Sequence, residues 1–217
     1  MEQTFLNQFL YAFIAVFPII NPIAMASVFY NMTYTATDDQ RKKLATQVAI
    51  YGTVLLLGTL FIGPFVLKFF GLKAADIRVA GGLVVFSIAW KMLTNPKENE
   101  RKSQADVSVS NDVMSLGFYP LTMPLTAGAG SIAIVVALAT QAKDTPHKLP
   151  QYLAIAAAII AIFILVYFCY RYSHKIFKML GKTGGKAVSS LSAFILLAIS
   201  VSVTWSGIQM LILPLMH

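Results

Sequence analysis

The sequence predicts an all-α integral membrane protein: six transmembrane helices, arranged as two inverted three-helix repeats, with the first and fourth helices broken. Three observations carry this. The 217-residue chain is 57% hydrophobic and 12% charged, and its mean hydropathy of +0.70 is far above that of a soluble domain. Six apolar segments have about the 20 residues a span needs, at 5–29, 44–67, 77–93, 113–139, 152–170 and 187–213. Two proline pairs sit inside apolar segments, about one hundred residues apart.

The first pair lies in Phe17-Pro18-Ile19-Ile20-Asn21-Pro22-Ile23-Ala24, within the first span. That span lacks a basic leader, carries Glu2 and has no small-residue cleavage site before Asn31, so it is read as a retained helix. The second and third spans follow, and Arg78-Val79-Ala80-Gly81-Gly82-Leu83 opens the third. The polar stretch 94–112, with Lys97, Glu98, Glu100, Arg101 and Lys102, reads as a solvated linker. The second pair lies in the fourth span, in Tyr119-Pro120-Leu121-Thr122-Met123-Pro124-Leu125-Thr126-Ala127-Gly128-Ala129-Gly130. Lys186-Ala187-Val188-Ser189-Ser190-Leu191 opens the sixth span and repeats the third-span entry: a cation, two apolar residues, two small residues, a leucine. The chain is therefore one membrane domain, 1–217, with repeat 1 at about 1–93 and repeat 2 at about 113–217. Three spans per half invert the second half relative to the first.

The net charge of +8 is a topology signal. With six spans, twelve of the seventeen Lys and Arg residues fall beside the first, third and fifth loops and five beside the others. The positive-inside rule makes the first group cytoplasmic and puts both termini outside. No nucleic-acid partner is implied. Cys169 stands alone in an apolar segment, and no Cys/His spacing suits a metal, so neither a metal nor a cofactor is expected. His147, His174 and His217 are read as loop or terminal residues. Gly181-Lys182-Thr183-Gly184-Gly185-Lys186 fails the phosphate-loop pattern, because Ala187 stands where Ser or Thr must follow the lysine, and is read as a basic cytoplasmic turn. Ser202, Ser206 and Gln209 share a helical face that suits either a cavity lining or, more commonly, a helix–helix seam. Trp90 and Trp205 suit interfacial anchors.

Proline has no N–H, and its ring clashes with the carbonyl four residues back. Two prolines four apart are expected to break a helix, and lipid tolerates such a break only where protein or a cavity covers it. A break repeated in both halves points to a transporter's substrate site. A helix restarting after a break exposes N–H groups and a partial positive charge, which suit a carboxylate. The released carbonyls suit an ammonium, so the pair suits a small zwitterion. The first break supplies the candidate site residues Pro18, Asn21, Pro22, Ile23 and Ala24. The second supplies Thr122, Pro124, Thr126, Ala127, Gly128, Gly130 and Ser131, with Gly128 open to close backbone approach. Kinks used only for packing are the plainer alternative. All nine acidic residues lie at span ends or in loops, so coupling through a buried acid is not expected. No catalytic residues are assigned: no buried nucleophile–base set stands out that would favour a membrane enzyme.

These residues resemble the MarC family of six-span bacterial inner-membrane proteins, which includes small neutral amino acid transporters of the SnatA type. Asn21-Pro22-Ile23-Ala24 is similar to the family's Asn-Pro-(Ile/Leu)-Gly. Phe70-Gly71-Leu72 with Arg78-Val79-Ala80-Gly81-Gly82 is similar to its third-span entry. Pro120-Leu121-Thr122-Met123-Pro124 with Ala127-Gly128-Ala129-Gly130 resembles its Pro-Leu-x-x-Pro-x-x-Ala-Gly-Pro-Gly run, and Leu180-Gly181-Lys182-Thr183-Gly184 its last turn. Ala24 replaces a usual glycine, Ala129 a usual proline, and Ser190 a frequent arginine. The resemblance implies a bacterial inner (plasma) membrane protein that moves alanine-, glycine- or serine-like amino acids, with lipid around it. The alternatives are a channel or facilitator for another small solute, and a membrane subunit without transport of its own. Homo-oligomerisation, coupling ion and direction stay open.

Overall fold

The first helix, α1 (Glu2–Ile20), is built of apolar residues and contains Pro18 without interruption. It stops at Asn21, whose φ of 48° and ψ of 60° lie in the left-handed region. Asparagine is among the few residues with a side chain that enter this region readily. Helix α2 (Pro22–Met32) restarts at once, with proline at its first position, where the missing N–H costs nothing. The computed structural model describes residues 2–94, 116–143 and 148–212.

A short connection leads into α3 (Asp38–Phe69), which opens on a capping box between Thr37 and Gln40 and carries Asp38 and Asp39 in its first turn. Both features satisfy or complement the exposed N–H groups there. The connection is stapled by Arg41. Its guanidinium donates to the carbonyls of Thr33 and Ala36, both at 3.1 Å, and to Asp38 at 2.8 Å, and it lies over the Tyr30 ring. Arg41, one of the twelve cations behind the charge asymmetry, is thus buried. Gly71, at φ 68°, turns the chain after α3, a conformation glycine adopts without penalty. Helix α4 (Ala74–Thr94) follows, with the Asp76 carboxylate accepting from the Lys73 N–H at 2.7 Å.

The second part begins with α5 (Phe118–Thr126), a wide π-type segment, followed by α6 (Ala129–Lys143). Helix α7 (Lys148–Arg171) is almost wholly apolar, and α8 (Ser173–Ile212) runs for 40 residues. The described residues are helical nearly throughout and contain no strand. Four helical stretches among them are long and apolar enough to cross a membrane: Phe5–Tyr30, Asp38–Phe69, Lys148–Arg171 and Ala193–Ile212, with Gly130–Ala142 a shorter one. The expected fourth span is therefore divided. The expected linker at 94–112 falls almost wholly outside the described residues, and so do His147 and His217. Two expectations are corrected. The stretch 181–186, read as a turn, belongs to the continuous helix α8, and so does His174. Glycine weakens a helix by about 1 kcal/mol per residue without ending it.

Helices α3 and α7 cross antiparallel: Gly52 lies against Phe163, and the Phe61 ring stacks on Tyr152. Helices α4 and α8 also run antiparallel. Gly82 leaves room for Thr204, Gly207 leaves room for Val79, and Arg78 donates to the Ser206 hydroxyl at 2.9 Å. Small residues let backbones approach where lipid gives no hydrophobic drive between helices. The polar face of α8 is thus a seam against α4 through Ser200, Thr204 and Ser206, while Ser202 and Gln209 are exposed. Trp90 and Trp205 are exposed too. Helices α1 and α2 pack on α7 as α5 and α6 pack on α3; α2 packs on α8 as α6 packs on α4. One apolar core joins α1–α3 and α5–α7, with Val16, Ile20, Phe29, Leu56, Leu121, Val135, Ile159 and Phe163 among its buried members, and a smaller cluster of Val85 and Ala89 packs with Ile19 and Leu197.

Candidate functional site

Both breaks lie inside this core. At the first, the Asn21 N–H still donates to the Phe17 carbonyl at 2.8 Å, completing α1, and the Asn21 carbonyl accepts from Met25 at 3.0 Å, beginning α2. The side-chain oxygen accepts from the Ala24 N–H at 3.4 Å. A single residue therefore reverses the backbone twist and caps the next helix.

The second break is wider. Tyr119 (φ −120°, ψ 128°) and Met123 (φ −122°, ψ 123°) are both extended. Each precedes a proline, whose ring drives the preceding residue out of the helical region. The carbonyls so displaced are met by threonine hydroxyls. Thr122 donates to Gly117 at 2.7 Å and Thr126 to Leu121 at 2.6 Å, each five residues back. The Ala127 N–H likewise reaches the Thr122 carbonyl at 2.8 Å. Helix α6 then starts, and Ser131 donates to the Gly128 carbonyl at 2.9 Å.

The two breaks touch. A Cβ on Gly130, in the first turn of α6, would sit 3.4 Å from the Ile19 side chain, two residues before Asn21, and 2.8 Å from Val85 of α4. Helix α2 also packs on α5. Asn21, Thr122, Thr126 and Ser131 are all buried. The N-terminus of α6 thus lies against the end of α1, near the first break, and neutral polar side chains at both breaks are buried in an apolar surround. Such a place stabilises a small negatively charged group and offers no buried acid or base among its assigned residues.

The model of the MarC family, described as integral membrane proteins, matches residues 6–212. The chain belongs to the MarC family. It is 31% identical over 210 residues to the membrane protein YvbG of Bacillus subtilis, an alignment covering 92% of this chain and 93% of that one. It is 26% identical to the inner membrane protein MarC of Salmonella typhimurium, with 90% and 91% covered. It is 28% identical to a membrane protein of Buchnera aphidicola, with 94% and 93% covered. No solved structure matches.

Most predicted site residues of this MarC protein gather at the two breaks: Asn21, Pro22 and Ala24 at the first, Thr122 to Ser131 at the second. Two differ from expectation. Pro18 lies within α1, so the first helix breaks only at Asn21-Pro22. Ile23, in the first turn of α2, is 44% exposed, whereas Asn21 and Ala24 beside it are buried. Tyr170 was missed. It looks like the polar end of an apolar span, yet it is fully buried and bonded to Thr126 at 2.8 Å. The tandem Pro-Leu-Thr of 120–122 and 124–126 was the available signal for the hydroxyl caps.

Proposed function

We propose that this MarC protein carries small neutral amino acids (alanine-, glycine- or serine-like) across the bacterial inner membrane. Transport would proceed by alternating access around the paired broken helices. The observation that carries the reading is the meeting of the two breaks, with Gly130 against Ile19. Their helix termini suit a carboxylate, and the buried hydroxyls and the Asn21 amide suit an ammonium's surroundings. The small side chains at Ala24, Ala127, Gly128 and Gly130 would let a small ligand approach the backbone closely.

In this reading the molecule is two inverted repeats of three spans. The packing supports that assignment. Exchanging α1–α4 with α5–α8 leaves the partner list largely unchanged, and the pairs α3/α7 and α4/α8 are both antiparallel. The charge asymmetry supports a topology with both termini periplasmic and the first, third and fifth loops cytoplasmic. The test is uptake of labelled alanine, glycine and serine into proteoliposomes. Saturation and counterflow are expected. Linear, non-saturating flux would make the protein a channel, and no flux of any of the three would remove the amino acid assignment.

A further inference from the structure

Tyr170, near the end of α7, belongs to neither break, yet it touches the second break and the helix that follows the first. Its hydroxyl lies 2.8 Å from the Thr126 hydroxyl at the end of α5. Its ring stacks on Phe29 of α2, with centroids 4.4 Å apart and planes 21° apart. Tyr170 and Phe29 are both fully buried. The direction of the hydrogen bond follows from proton count. A threonine hydroxyl has one proton to give, and Thr126 donates to the Leu121 carbonyl at 2.6 Å. Tyr170 therefore donates to Thr126, completing a chain from α7 through the threonine to a carbonyl released by the second break. A buried phenol without such a partner is costly, so the geometry holds α5 and α7 together at this point. Phe29 follows the first break by two turns of α2, and the stacked ring fixes that helix against the same residue.

We propose that Tyr170 is a positioning residue for the substrate site, tying the second break and the helix that follows the first to one anchor on α7: the second break through its hydroxyl, α2 through its ring. This rests on the transport reading above for its functional part and on geometry alone for its structural part. Because the two handles are chemically separate, they can be removed separately. Phenylalanine keeps the ring and loses the hydroxyl; leucine loses both.

The experiment combines backbone hydrogen exchange with alanine binding, on the full chain in nanodiscs, for Tyr170→Phe, Tyr170→Leu, Thr126→Val and the double variant Tyr170→Phe/Thr126→Val. Tyr170→Phe is expected to speed exchange across 118–131 and leave 22–32 unchanged. Tyr170→Leu is expected to speed exchange in both. Alanine affinity should fall roughly 2- to 13-fold in Tyr170→Phe, the loss matching one buried hydrogen bond. The double variant should bind about as weakly as Thr126→Val alone, because Tyr170 acts through Thr126. Unchanged exchange at 118–131 in Tyr170→Phe would overturn the proposal whatever the cargo. Normal affinity in a loosened Tyr170→Phe would reduce the residue to a packing role. Additive losses in the double variant would mean that Tyr170 touches the ligand itself. If the wild type binds no alanine, glycine or serine, the amino acid reading fails, while the exchange pattern still decides whether Tyr170 ties α2 and the second break together.

Discussion

The first and second helix breaks share one spacing, Pro-x-x-x-Pro, and differ in almost everything else. The first takes a single residue, Asn21, and the helices on either side are otherwise regular. The second takes most of the stretch from Phe118 to Gly128, with two extended residues and three hydrogen bonds that reach back five positions. The neighbours of the prolines explain the contrast. Two residues after Pro120 and Pro124 stand Thr122 and Thr126, whose hydroxyls add donors to the Gly117 and Leu121 carbonyls of the widened segment. Two residues after Pro18 and Pro22 stand Ile20 and Ala24, which offer no donor. Without hydroxyls the chain cannot sustain a wide segment in an apolar surround, so it stops and restarts at once. Asn21 suits this because it tolerates the left-handed conformation and caps the new helix with its own side chain. The proline spacing thus decides where a helix is interrupted, and the residues after each proline decide how.

The largest effect should come from the point where the breaks meet. Gly130→Val places branched carbons where even a Cβ lies 2.8 Å from Val85 and 3.4 Å from Ile19. Overpacking a buried site typically costs about 1–3 kcal/mol, and here the strain would push the two breaks apart. A lowered melting temperature in nanodiscs with loss of amino acid exchange is expected. A variant of normal stability and normal exchange would show that the contact is incidental.

Next in size is the hydroxyl cap. Thr122→Val keeps shape and removes the hydroxyl hydrogen bond to the Gly117 carbonyl at 2.7 Å. Losing one buried hydrogen bond costs about 0.5–1.5 kcal/mol. Thr122→Ser retains the hydroxyl and should recover most of that loss, which a thermal melt of the pair would read. Equal destabilisation by valine and serine would mean that the methyl, rather than the hydroxyl, holds the wide segment, and the explanation of the second break would fall.

The same contrast shows what the sequence makes legible. Six apolar segments and two proline pairs are surface features of the text, and four of the long helical stretches correspond to them. A break near Pro18–Pro22 and another near Pro120–Pro124 follow from elementary backbone chemistry, while the place of the first at Asn21 does not. Burial by distant partners is not legible in this way. Arg41 reads as one more loop cation until the Thr33 and Ala36 carbonyls fold onto it. Tyr170 reads as a span end until α2 and α5 close over it. Pro18 shows the opposite failure: a proline in an apolar helix signals a break, yet α1 continues through it. The glycines of 181–186 signal a turn, yet helix geometry persists from Ser173 to Ile212. Local signals state which conformations are cheap, and the surrounding packing selects among them.

The smallest effect is also the sharpest test of the first break. Asn21→Ala changes two things at once. It removes the cap on the Ala24 N–H, worth about 0.5–2 kcal/mol, and it leaves φ 48° to alanine, which lacks the local side-chain hydrogen bonding that eases asparagine into this region and faces a steric cost of up to about 1–2 kcal/mol there. A weakened protein would then say little about binding. Asn21→Gly separates these terms, because glycine adopts the left-handed region freely and costs only a few tenths of a kcal/mol as a cap. Its melting temperature should stay close to that of the wild type. If the Asn21 amide contacts the cargo, alanine affinity should still fall by roughly 2- to 13-fold, the effect of about 0.5–1.5 kcal/mol. If the residue serves only to break the helix, Asn21→Gly should bind and exchange alanine as the wild type does. The break would then stand as architecture, with recognition left to the hydroxyls and backbone of the second one.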